Sequence, residues 1–372
     1  MSKKTKILLL YQFDSHQFII DCLIENIDRE KFDVDYFNSK TFKYSGSNSV
    51  FLKLLQQLVR IPKFRVVVYL LLRNRLIENI ANKYQIVDIH FFSQIYDRIL
   101  PKLQAKLKVT FWGSDIYRVS EERRSNFPTL LKNVCLVHAT TPMMESYFEK
   151  YNNLQIPVVT LPIGIKNFEL ILDATRNLEK NELKKQLEIP ENKHIITLGY
   201  NANPSQQHLK ILNQLSELSI YQKEKCFLIV PLTYAGNKFY INEVKRSLDL
   251  LRIQYLVLEN YLDLETKNLY TIASDIAINI QTTDGFSASI QEYLLTQNIM
   301  ILGEWLPYKW LKEKGIQFSE INEDNLCQQL ESVLEGFEEY KKATSGNTKI
   351  IYEISSWHAI SSSWNNIYTQ LI

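Results

Sequence analysis

The run Thr282-Thr283-Asp284-Gly285-Phe286-Ser287-Ala288-Ser289-Ile290-Gln291-Glu292-Tyr293-Leu294-Leu295 constrains this chain more than any other stretch. Before it, Ile276-Ala277-Ile278-Asn279-Ile280 reads as a buried strand, and after Asp-Gly the apolar spacing becomes helical. Strand, tight turn and helix in that order predict an α/β unit whose helix starts over the carboxyl end of a sheet. Ser287 or Ser289 is expected to cap that helix, leaving its first-turn N–H groups unpaired at the turn. Such a terminus suits a diphosphate. Asp284 stands at the mouth of the turn and Glu292 about two helical turns on, so one carboxylate faces the turn and the other reaches along the same groove.

The rest of the chain supplies two sheets' worth of strands. Its 372 residues suggest two domains, each large enough to bury its own core. A hydrophobic fraction of 45% with 23% charged residues belongs to a soluble globular protein. The longest apolar run, residues 66–72, falls far short of a membrane span, and the few apolar residues before Gln12 are too short for a signal peptide. Cys22, Cys135, Cys226 and Cys327 are widely spaced, form no metal-ligand pattern and read as reduced thiols of a cytoplasmic protein.

Net charge is only +2, so its distribution carries the information. No acid lies between Asp35 and Glu78, whereas Lys40, Lys43, Lys53, Arg60, Lys63, Arg65, Arg73 and Arg75 all do, interleaved with Phe42, Tyr44, Phe51, Phe64 and Tyr69. Two readings fit residues 40–75: contact with an anionic membrane interface, or core helices with snorkelling Lys and Arg. Nucleic acid is not expected, because no binding module accompanies the charge.

Residues 7–11, 32–37, 86–92, 108–112 and 134–139 read as strands of a first domain. Asp33 and Asp35 share one face of the second of these and read as a solvated sheet edge, not a metal site. The fourth ends in Gly113-Ser114-Asp115, and open sheets bind ligands at the carboxyl ends of their strands. His90 and Asp115 are therefore candidate site residues. Further strands are read at residues 194–199, 227–232, 255–258 and 299–303, a linker and helix at residues 173–185, and a terminal helix from Trp357.

The acid, seven residues and second acid of Asp284 and Glu292, with Gly285-Phe286 after the first, resemble the signature of retaining family 4 glycosyltransferases of the GT-B fold. The usual first acid is Glu; here it is one methylene shorter. The resemblance implies an α/β architecture of two Rossmann-like domains: residues 1–170 for the acceptor, 171–350 for a nucleotide-sugar, and 351–372 crossing back to the first. It implies a metal-independent enzyme without a cofactor. Asp284 would meet the donor sugar, Gly285, Phe286, Ser287, Ala288 and Ser289 the diphosphate, and Glu292 the ribose. His90 and the Gly-Ser-Asp turn would lie on the acceptor side, although Trp112 stands where the family often has another histidine.

The loop after residue 198 departs from the family, which usually places an Arg soon after the Gly and a Lys a few residues later. Here Gly199 is followed by Tyr200 and Asn201, then Gln207, His208 and Lys210. Locally it is similar to bacterial transferases of 4-acetamido-4,6-dideoxygalactose, which have a polar turn before a His. Gly199, Asn201 and His208 are thus donor-side candidates, with Tyr234 and with Tyr261 where the family holds the base. Lys238 is the candidate replacement cation. The implied function is transfer of a sugar from a nucleotide-sugar to a glycan or lipid-linked glycan in bacterial surface polysaccharide synthesis, in the cytoplasm at the inner membrane face. The alternative, favoured by the missing Arg and Lys, is a non-catalytic partner of an active transferase.

Overall fold

A computed structural model describes residues 3–47, 49–151 and 156–372; residue 48, inside the basic segment, lies outside the described residues. The chain divides into two compact units, residues 1–164 with 357–372 and residues 165–356.

In the first unit the strands are β1 (Thr5–Tyr11), β2 (Phe32–Asn38), β3 (Ile86–His90), β4 (Lys106–Thr110), β5 (Val134–Ala139) and β6 (Val158–Thr160), in the order β2-β1-β3-β4-β5-β6. The second unit contains β7 (His194–Leu198), β8 (Cys226–Pro231), β9 (Gln254–Leu258), β10 (Ile276–Asn279), β11 (Ile299–Gly303) and β12 (Ser319–Ile321), in the order β12-β11-β10-β7-β8-β9. All pairings between these strands are parallel. Helices cover both faces of such sheets, which is why Ile7 to Tyr11 and Ile299 to Leu302 are apolar without alternation and almost fully buried.

The order of each sheet reverses once, between β1 and β3 in the first and between β7 and β10 in the second. A crevice opens at such a reversal because the loops on either side leave the sheet in opposite directions, and ligands bind there. The loops that follow β1, β3, β7 and β10 are therefore the positions that matter for chemistry.

Edge strand β2 carries Asp33 exposed to solvent, while Asp35 accepts from Ser45 Oγ at 2.6 Å and Tyr84 Oη at 2.7 Å. Residues 173–185, expected to hold a linker, instead belong to two packed helices, Phe168–Asn177 and Lys180–Gln186. Lys180 and Lys184 reach Asp275 at 2.6 and 3.3 Å, and Asp275 Oδ2 also accepts from Ile195 N, so the segment is pinned to the amino end of the second sheet. Burial of Phe168, Ile171 and Leu183 explains why a highly charged sequence still folds onto a core.

The helix Trp357–Thr369 packs on the first sheet, burying Trp357, Ile360, Trp364, Ile367 and Tyr368 against a face made by Ile7, Leu9, Ile20 and Leu23. Beneath it lies a fully buried ion pair. Lys108 Nζ donates to Asp88 Oδ2 at 2.7 Å and to Thr110 Oγ1 at 2.6 Å, Thr110 Oγ1 donates to Asp88 Oδ1, and Tyr368 Oη closes the network on Asp88 at 2.7 Å. Burial works against the Asp88 carboxylate, but the His90 ring and the Lys108 cation outweigh it and hold its pKa well below the usual range. The Lys108 ammonium also lies 4.8 Å from the Trp364 ring centre. Removing one partner strands a buried charge, so Lys108→Met is expected to lose about 3–5 kcal/mol. Urea unfolding followed by tryptophan fluorescence measures this, and Lys108→Met with Asp88→Leu should recover most of the loss.

Candidate functional site

At the reversal of the second sheet three loops are tied together by main-chain hydrogen bonds. Ala202 N donates to Tyr234 O at 2.8 Å, joining the loops after β7 and β8, and Thr282 N donates to Ser205 O at 2.9 Å, joining those after β7 and β10. Two glycines make the approach possible. Gly199 has φ +64°, and a Cβ there would stand 2.9 Å from Gln206 Oε1. A Cβ on Gly236 would fall 2.3 Å from the Cβ of Ala202. Within the first loop Asn201 Oδ1 accepts from Asn203 N, and Asn203 Oδ1 accepts from Ser205 N, both at 2.9 Å. The polar, Asn-rich sequence is thus a set of side chains substituting for backbone partners in a tight turn.

The loop after β10 is organised by Asp284. Its Oδ1 accepts from Gly285 N at 2.9 Å, and its Oδ2 accepts from Ser287 N at 3.1 Å and from the Tyr308 hydroxyl. Phe286 follows at φ +70°, a left-handed conformation unusual for an aromatic residue, and its ring is held against Tyr308 and Trp310. The helix runs Ala288–Leu295 with Ser287 at its N-cap, but neither expected serine caps it: the Ser287 hydroxyl makes no cap bond and Ser289 lies inside the first turn. The first-turn amides thus take no side-chain cap, and the turn ahead of them is fixed by Asp284.

Glu292, one turn further along that helix, is only 2% exposed. Lys267 Nζ donates to both of its carboxylate oxygens at 2.7 Å, and Asn167 Nδ2 donates to Oε1 at 2.7 Å. Asn167 and Asn268 bond each other reciprocally at 2.7 and 2.9 Å, which holds the donating Asn167 amide in place. The Lys267 side chain remains 36% exposed, so this cation keeps one face to solvent. Lys238 does not join it. It opens the helix Lys238–Leu251 at the surface. Tyr234 is about half exposed and Tyr261 is exposed.

His208 begins the helix His208–Leu215 and is completely buried, with Nδ1 3.1 Å from Tyr240 Oη. Burial pushes its pKa down to about 4. Asn279 and Gln281, at the end of β10, are also buried, and both polar atoms of each side chain lack a hydrogen-bond partner among the described residues. Unsatisfied buried amides are uncommon and mark places where water or a ligand completes the bonding.

In the first unit, Asp115 is 2% exposed and acts as an internal clamp. Its Oδ1 accepts from Trp112 N and Gly113 N, and its Oδ2 from Phe92 N, all at 2.9 Å, so it ties the loop after β4 to the loop after β3. Burial raises its pKa to about 6 against these three amides, which lower it. His90 is buried to 1%, with Nε2 3.2 Å from Asp88 Oδ2, and so faces the ion pair rather than solvent. Above it His16 stacks on Trp112 with ring centres 4.1 Å apart, and Phe91 and Phe13 complete the aromatic cluster. Burial, then His90, lowers the His16 pKa to about 4.

No family model matches the chain, and no curated protein does. Solved structures do. A glycosyltransferase from Rickettsia africae is 16% identical, with TM-score 0.73 over 100% of this chain and 99% of that one. HepE of Anabaena, solved in complex with UDP and glucose, is 14% identical with TM-score 0.72 over 98% and 100%. Sucrose-phosphate synthase of Thermosynechococcus elongatus is 12% identical with TM-score 0.72 over 99% of each chain. The chain has the GT-B fold.

Within this GT-B chain the structure therefore gathers Gly199, Asn201, Asp284, Gly285, Phe286, Ser287, Ala288 and Ser289 around one sheet reversal. Glu292 lies on the adjoining helix, and Lys238 and Tyr261 stand at the surface. Sequence reasoning missed Lys267, His16, Tyr308, Asn279 and Gln281. Lys267 and Tyr308 are distant from the motif in sequence and reach Glu292 and Asp284 only through the fold. Asn279 and Gln281 directly precede the motif, but no local pattern marks their amides as unsatisfied. His16 lies in the first unit, beside Trp112.

The histidine shifts give a pH dependence. The folded pKa of His208 is below its unfolded value near 6.5, so its contribution to stability is complete above that value and lost as pH falls toward 4. Between pH 7 and pH 5 the second unit should lose about 2 kcal/mol from this group. Urea melts at the two pH values measure the loss, and His208→Asn should show a dependence flatter by that amount.

Proposed function

We propose that the protein transfers a sugar from a nucleotide-sugar donor to a glycan or lipid-linked glycan acceptor, with retention of configuration and without a metal, in assembly of a cell-surface polysaccharide. The observation that carries this reading is the uncapped helix start at Ala288, placed by the Asp284 turn at the reversal of the second sheet. The GT-B neighbours include HepE in complex with UDP-glucose, which supports a nucleotide-sugar as the donor class. In this reading the diphosphate lies on the first-turn amides of residues 288–290, and the ribose hydroxyls meet Glu292. Asp284 acts mainly by shaping the turn, since its oxygens already serve two amides and Tyr308. Lys267 pairs with Glu292 and brings a positive charge to the donor side, a role that neither the loop after β7 nor exposed Lys238 fills. Gly199 and Asn201 shape the adjoining wall, Tyr234 and Tyr261 border it, and His208 supports it from beneath. The acceptor is received by the first unit, over the loops after β3 and β4 that Asp115 holds together. The protein works in the cytoplasm at the inner face of an anionic membrane, where a lipid-linked acceptor is found.

The test is thermal shift with UDP, GDP, TDP, ADP and their common sugars. A ligand present at a hundred times its Kd adds about 2.7 kcal/mol, worth roughly 5–10 °C in a domain of this size. One base should produce the shift, Glu292→Ala should abolish it, and Lys267→Met should reduce it. Transfer rates of Asp284→Ala and Glu292→Ala at the level of the unchanged enzyme would refute the assignment. A second reading, a non-catalytic partner of an active transferase, is favoured by the engagement of Lys267 with Glu292 and by the missing Arg and Lys. It is supported if no nucleotide shifts the melt while a transferase co-purifies stoichiometrically.

A further inference from the structure

One face of the first unit combines apolar exposure with a single sign of charge. The helix Val50–Leu58 buries Leu52 and Leu55 but leaves Phe51 50% and Leu54 55% exposed. After Ile61 the chain enters a continuous helix that passes from Pro62–Val68 through a π-helical segment, Tyr69–Arg73, into Asn74–Ala81. Its far end is anchored by buried Ile77, Ile80 and Ala81. Its near end is not anchored in that way: Phe64, Val66 and Val67 are 52%, 56% and 51% exposed. At about 100° per residue Phe64 and Val67, three positions apart, share one side of the helix, and Val66 lies on its flank.

The charges on this face select the medium. Lys53, Arg60, Lys63 and Arg65 are all exposed, and no acid occurs between Asp35 and Glu78 to neutralise them. Helices that lie in a membrane interface bury an apolar face about 5–10 Å into the headgroup and acyl boundary and carry Lys and Arg beside it. Among the described residues no helix is long and apolar enough to cross a membrane. We infer that the helices at residues 50–58 and 62–68 form a wedge that inserts into the headgroup layer of an anionic phospholipid bilayer. Phe51, Leu54, Phe64 and Val67 enter the acyl boundary, and Lys53, Arg60, Lys63 and Arg65 pair with lipid phosphates. The inference specifies the membrane contact of the proposed transferase and rests on that reading for its purpose only, because the binding itself needs no nucleotide.

The experiment is co-sedimentation of the intact chain with vesicles of phosphatidylglycerol in phosphatidylcholine and with vesicles of phosphatidylcholine alone. Binding to the anionic vesicles is expected to be at least tenfold tighter and to weaken steadily with salt. Phe64→Ser with Val67→Ser, and separately Lys63→Gln with Arg65→Gln, should each weaken it about tenfold, with unchanged circular dichroism melts. Equal binding to both compositions, binding to neither, or variants that bind like the unchanged chain would overturn the inference. So would a self-associated species in sedimentation velocity that Phe64→Ser with Val67→Ser dissolves, since the occupant would then be a second copy. Vesicle binding by a chain that shows no nucleotide thermal shift supports the wedge and removes the transferase reading. A nucleotide shift without vesicle binding does the reverse.

Discussion

Parallel pairing is the constraint from which the rest of the structure follows. Because each strand lies parallel to its neighbour, the chain must cross over before it can pair again, and helices fill those crossovers on both faces. All loops that follow strands then emerge along one edge of their sheet. In the second unit this brings together segments as far apart in sequence as Gly199, Tyr234 and Thr282 and lets them share main-chain hydrogen bonds. The glycines and the left-handed Phe286 are the local adjustments needed for backbones to come that close.

Two carboxylate–lysine pairs show how the same chemistry serves different ends. Asp88 and Lys108 are wholly buried, and each is further bonded by neighbouring hydroxyls, so the pair is an internal fastening with no face left for a ligand. Glu292 is buried too, yet its lysine is one-third exposed and lies beside the helix that begins at the Asp284 turn. An ammonium in that position pairs with the carboxylate and remains reachable from solvent. Asp115 is a third case, a carboxyl whose partners are three backbone amides, and its task is to hold two loops in register.

Most strands and the helix after Asp284 were legible in sequence because apolar runs and Asp-Gly turns are local signals, and the two-domain class came from the resemblance that the acidic motif carries. Other features depend on contacts between distant residues and had no such signal. Lys267 looks like any lysine of an amphipathic helix until β9 and β10 bring it to Glu292. Asp284 reads as a ligand residue in sequence, whereas in the fold its oxygens are taken by the turn it creates. His90, read as a site residue at a strand end, turns toward Asp88, which sits two residues earlier on the same side of the strand. Charge density at residues 173–185 suggested a linker and a helix; the helix is there, but Lys180 and Lys184 find Asp275 through a contact that no local pattern reveals.

The return of residues 357–372 to the first sheet imposes an order on synthesis. Ile7, Leu9 and the Asp88–Lys108 pair are made early, yet Trp364 and Tyr368, which cover them, come only after residues 165–356. At about 5–20 residues per second that interval is on the order of 10–40 s. During it the nascent first unit displays an open apolar face and a half-enclosed charge pair, the kind of surface that chaperones hold. The second unit, whose residues are contiguous, meets no such delay and can close while still near the ribosome. The half of the protein translated first is therefore the half finished last.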